Sequence, residues 1–199
     1  MTMASKTTTS YRQDTTFRSI HVTGSYGEWA ELLWRPSGRV IIISDYGNWS
    51  YYWGHRGSKS TAAFLVELDI HYMGKKMLGA ELEEFSLDST FKRICEGILS
   101  ARYSGDLSKD NARNEWELAQ ELDEGDISFE GWGLSSEFFR EDWYEYSCKE
   151  MVSEWTNFWD RLWVPLILPE LNKELNREQA DIVRDAIEKA TGVLPAEVV

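Results

Sequence analysis

The chain has 199 residues, of which 42% are apolar and 14% aromatic, and it carries a formal net charge of −13. That apolar content is too high for a disordered chain, and no apolar run approaches the roughly 18 residues that a membrane-crossing helix needs. The negative charge repels nucleic-acid backbones and anionic lipid over most of the surface, which excludes ordinary DNA or RNA binding and membrane association.

Residues 1–15 are Ser/Thr-rich and poor in apolar side chains, which predicts a disordered leader. They hold no apolar stretch behind a basic one, so no secretory signal is expected, and the two cysteines, Cys95 and Cys148, are too few for a disulfide framework. A cytoplasmic protein is the expectation. From Thr16 the pattern is of strand type. Phe17, Ile20 and Val22 lead to Gly24, Trp29–Trp34 follows, Arg39–Ser44 contains Val40, Ile41, Ile42 and Ile43, and Asn48–Trp53 is largely aromatic. Turn residues at Gly24–Gly27, Arg35–Gly38 and Asp45–Asn48 separate these runs, as in an antiparallel meander of four strands. Alternation puts Trp49, Tyr51 and Trp53 on one face and Ser50 and Tyr52 on the other, so one face needs a cover. Ser60–Leu78, with an apolar stripe behind Ser and Thr caps, is the expected covering helix.

Beyond Gly79 the reading is helical: Leu87–Tyr103 before Gly105, Ser108–Leu122 before Gly125, a broken stretch around Gly131 and Gly133, and Glu137–Trp163. Asn176-Arg177-Glu178-Gln179 reads as a capping box that opens a last helix ending at Gly192. The fold class expected is α+β, with a meander and helix over 16–80 and an acidic helical region over 81–199 packed with it as one unit.

Charge divides along the chain in the same way. Residues 1–80 hold nine Lys and Arg against six Asp and Glu, whereas 81–199 hold twelve against twenty-eight. Between 110 and 154 there are fourteen acids and three bases, interleaved with Trp116, Trp132 and Trp143. Acids mixed with aromatics at this density predict a folded acidic face. Its candidate partner-binding residues are Glu115, Glu117, Glu121, Asp123, Glu124, Asp126, Glu130, Glu137, Glu141, Asp142 and Glu145.

Ile43-Ser44-Asp45-Tyr46-Gly47-Asn48-Trp49-Ser50-Tyr51-Tyr52-Trp53-Gly54-His55, followed by Phe64-Leu65 and Tyr72-Met73-Gly74-Lys75, is the most unusual string. It resembles a box found in phage and prophage proteins, over residues 17–80. The resemblance implies a phage or mobile-element accessory protein, an anti-CRISPR or other anti-defence protein among them. It carries no catalytic residue across.

No nucleophile motif accompanies His21, His55 or His71, and Asp69 and His71 at i, i+2 fall on different helix faces. Metal-ligand spacings and a phosphate loop are also absent from the sequence, so no catalytic, cofactor or metal residue is assigned. Cys95 and Cys148 read as core residues within helical patterns. Trp155, Phe158, Trp159 and Leu162 are spaced as a buried helical stripe. The favoured reading is a non-enzymatic inhibitor whose acidic face, a DNA mimic, occupies a basic nucleic-acid-binding groove on a host defence protein such as a CRISPR effector subunit. The alternatives are an enzyme or ligand-binding module centred on the aromatic hairpin, with His55, Asp45 and His71 at its mouth, and an accessory phage protein without inhibitory role.

Overall fold

The structure, a computed structural model, describes residues 16–191. The expected leader, 1–15, lies outside them. The fold is α+β. Four strands, β1 (Arg18–Thr23), β2 (Trp29–Trp34), β3 (Arg39–Ser44) and β4 (Gly47–Tyr52), form an antiparallel sheet in sequential order. The register places Val22, Ala30, Leu32, Trp34, Val40 and Ile42 on one face, all at most 8% exposed. Trp49 lies opposite Ile42 and Tyr51 opposite Val40, so the aromatics of β4 join that face as alternation requires. The β2–β3 turn depends on Gly38 at φ +101°, where a Cβ would fall 2.1 Å from the Trp53 carbonyl oxygen.

Contacts divide the chain into two compact units, one made of the described residues up to Met77 together with those from Asn157 on, the other of Leu78–Thr156. The residues expected as one acidic region over 81–199 thus divide between the two units, those from Asn157 on grouping with the meander. The reason is the area of apolar sheet to be covered. The helix expected over Ser60–Leu78 is two short ones, α1 (Thr61–Val66) and α2 (Ile70–Met77). The Ser60 hydroxyl caps α1, and the Asp69 carboxylate accepts from the Tyr72 N–H at 2.8 Å to start α2 afresh. Two helices of six and eight residues cannot cover the sheet alone. Trp159–Ile167, wound as a π-helix around Pro165, packs on β1 and β2, and the Phe158 ring meets Trp49 edge-on at 5.1 Å. The following helix runs unbroken over Leu168–Thr191 and packs on α1, with Leu171 fully buried. No new helix starts at Asn176: the helix is continuous there, and Glu174 and Glu178, one turn apart on either side of it, both meet Arg18.

In the second unit β5 (Glu83–Phe85) pairs with β6 (Lys149–Met151), beside α3 (Leu87–Ser104), α4 (Lys109–Asp123) and α5 (Phe129–Ser135). The chain leaves this unit within α6 (Ser153–Phe158), and the 168–191 helix of the first unit is α7. Ser86, Ser108 and Ser128 hydroxyls cap α3, α4 and α5 in turn. Ile94, Ile98, Ala119, Leu122, Trp132 and Phe139 form the core. The helix expected over Glu137–Trp163 is absent from its first half, where turns and a 3-10 turn at Trp143–Tyr146 fold aromatics inward. Trp143 and Tyr146 pack on Phe129 and Trp132, and a Cβ on Gly133 would sit 2.3 Å from the Trp143 ring.

Candidate functional site

The acidic residues sort by angle around α4. Positions i+4 and i+7 from Glu115 are Ala119 and Leu122, so this side of the helix faces the core. Glu115 is only 5% exposed. Its carboxylate accepts from the Ser136 hydroxyl at 2.8 Å and from the N–H groups of Glu137 and Phe138 at 2.9 and 3.0 Å. The Ser136 oxygen in turn accepts from the Phe139 N–H at 2.8 Å. Glu115 therefore fastens α4 to the turn after α5; of the eleven acids expected on the partner-binding face it is the one that is buried with its carboxylate engaged, although it also lines the cleft that its exposed neighbours surround.

The other ten acids are exposed. Glu117, Glu121 and Glu137 converge, with Asp106, on a cleft of about 520 Å³ whose apolar wall is Leu107, Leu118 and Phe138. Asp123, Glu124 and Asp126 follow at the end of α4 and in the turn beyond, Glu130 lies on α5, and Glu141, Asp142 and Glu145 lie at the 3-10 turn. None of these seven lines the cleft. Asp106, Asn111, Asn114 and Phe138 are cleft residues that charge counting misses. Asn111, Asn114, Leu118 and Glu121 recur at i, i+3, i+7 and i+10, a helical stripe that could have revealed the two asparagines.

In the aromatic hairpin, Trp53 is buried and packs on Tyr51 and Phe64, at centroid distances of 4.8 and 5.8 Å. The opposite face keeps Tyr52 exposed, over a shallow cleft of about 300 Å³ that Arg39, Ile41 and Ser50 share. Of the residues weighed for catalysis, Asp45 accepts from the Trp29 N–H at 3.0 Å and Asp69 caps α2. His21, His55 and His71 are exposed, with His21 stacked on Trp29. Cys95 and Cys148 are free and half-buried rather than fully in the core. Burial first, and then the Asp123 and Glu96 carboxylates, push the Cys95 thiol above its ordinary range. Among the described residues no group of three or more His, Cys, Asp or Glu could hold a metal ion, and no helix is long and apolar enough to cross a membrane.

No curated protein and no solved structure matches the chain. A phage family, Phage_phiTE_072, matches residues 1–175, the whole meander and the whole acidic unit included. The chain belongs to that phage family.

Proposed function

We propose that this phage protein acts by interaction: its acidic unit occupies a basic, nucleic-acid-binding groove on a host defence protein, such as a CRISPR effector subunit, and so inhibits it. The observation that carries this reading is the exposure of ten carboxylates on one compact unit, three of them gathered with Asp106 around an apolar-walled cleft. A groove built for phosphates attracts clustered carboxylates through the same long-range field, and Phe138 and Leu118 add short-range contact. The exposed Tyr52 and its neighbouring cleft favour a second reading, a ligand platform on the outer sheet face.

The test is capture from a host lysate by the tagged chain at low and at high salt, beside the variant Glu117→Gln, Glu121→Gln, Asp123→Asn, Glu124→Gln. Loss of the captured protein at high salt and in this variant, with an unchanged melting curve, supports the acidic-face reading. Capture indifferent to both, but lost in Tyr52→Ala, overturns it in favour of the hairpin.

A further inference from the structure

On the flank of α4 away from the acidic cleft, the helix has the opposite chemistry. Lys109, Ala112, Arg113 and Trp116 recur at helical spacing there and, with Leu99 and Arg102 of α3, line a groove of about 410 Å³. Its floor is apolar: Trp116 is half-buried, and Leu99 is an outward-facing leucine, 60% exposed, in a helix whose inward positions include Ile94 and Ile98 at no more than 2%. Its rim is cationic. Arg102, Lys109 and Arg113 are exposed, and among the described residues none has a carboxylate within ion-pair distance, in a chain where acids outnumber bases 34 to 21. Among the described residues the Arg102 guanidinium donates only to the Leu107 carbonyl, at 3.5 Å. One carboxylate, Glu117, stands at the border with the acidic cleft.

We infer that this groove is a docking site for an acidic amphipathic helix of a partner protein. Charge complementarity selects the occupant. Three unpaired cations around an apolar floor match a helix with apolar side chains at i, i+3, i+4 and i+7 flanked by Glu or Asp, the helix-in-groove mode of recognition. The groove lies open along two helices, which suits a rod laid between them better than an enclosed small molecule. The inference is independent of the acidic-face reading, since it uses the other side of α4 and the opposite charge.

The test is fluorescence anisotropy of the full chain with a labelled peptide of about 16 residues, long enough to be helical, with Leu at i, i+3, i+4 and i+7 and Glu at most other positions. A second peptide replaces each Glu by Lys. The acidic peptide binds and is weakened by salt, and Lys109→Glu with Arg113→Glu lowers its affinity at least about tenfold without moving the melting curve. Leu99→Ser lowers it as well, whereas Glu121→Gln on the other flank leaves it unchanged. Failure of the intact chain to bind the acidic peptide overturns the inference. So does equal affinity in the Lys109/Arg113 variant, binding of the basic peptide that this variant abolishes, or binding of decanoate without the peptide.

Discussion

In the meander unit, side chains are sorted by alternation: along β2 and β3 every second residue is buried, and a charge such as Glu31 or Arg39 falls on the outer side because its neighbours in the register do. In the 78–156 unit, sorting is by angle, and α4 has three faces: an inward one with Glu115, Ala119 and Leu122, a carboxylate flank and a cationic flank. A strand offers a charge two choices, and the pleat decides between them. A helix offers a continuum, so two glutamates separated by a single residue, Glu115 and Glu117, come to differ in what they do, one buried and fastening the fold and one exposed at the surface. Net charge over a segment therefore says little about which charges reach a partner.

The largest test of this contrast concerns the aromatic interiors. Trp53→Ala in the meander unit and Trp132→Ala in the other, 4% and 0% exposed, are each expected to cost about 3–5 kcal/mol in denaturant unfolding. Trp132→Phe, which keeps a ring and gives up an indole N–H with no acceptor among the described residues, should cost less. A Trp132→Ala variant as stable as the parent would mean that the ring cluster does not hold its unit.

Next in size is the division of α4. Glu115→Ala leaves the N–H groups of Glu137 and Phe138 without their acceptor and should cost about 1–3 kcal/mol. Glu117→Ala and Glu121→Ala should stay within about 0.5 kcal/mol of the parent. Equal effects from all three would erase the distinction between the faces.

Glu150 makes a smaller, pH-dependent contribution. The Ser89 hydroxyl, and after it Ser86, hold its carboxyl below the ordinary value of 4.5. Because the folded value is the lower one, the contribution is present above about pH 4.5 and is lost as pH falls through the folded value. Glu150→Gln should accordingly flatten the fall of melting temperature with acid. An identical acid profile in parent and variant would show that Ser89 does not favour the ionised form.

The smallest effect is chemical. Cys95 should react with a thiol reagent more slowly at neutral pH than an unperturbed cysteine, and Asp123→Asn should speed it slightly, since Asp123 is the second cause of its raised value after burial. Reaction rates identical in parent and variant would remove Asp123 from the account.

Much of the meander was legible because its turns are written in residues with a local mechanism: Gly24 and Gly27, Pro36 and Gly38, Asp45 and Gly47 all fall where the chain reverses. The α3 and α4 boundaries were legible for the same reason, from Ser108 at one end and Gly105, with φ +90°, at the other. Failures came where two rules compete. The stripe from Ala63 to Met77 reads as one helix, and the cap at Asp69 that splits it looks like any polar residue. The stripe Trp155–Leu162 reads as buried, yet periodicity does not say against what, and the partner of Phe158 is a sheet more than a hundred residues earlier. Of the acidic surface, exposure was legible at ten of eleven positions; Glu115 was not separated from them, although its register with Ala119 and Leu122 was there to read.

The return of the chain to the sheet sets an order of events during synthesis. β4 ends at Tyr52, but the segment that packs on β1 and β2 begins only at Trp159, so the ribosome adds about a hundred residues while the apolar side of the meander is only partly sheltered. At ~5–20 residues per second this interval lasts roughly 5–20 seconds, far longer than a hairpin takes to form. The intervening 78–156 unit can condense in that time, whereas the meander must wait. Nascent chains stalled before residue 159 should therefore engage holdase chaperones, and those released past Leu171 should not.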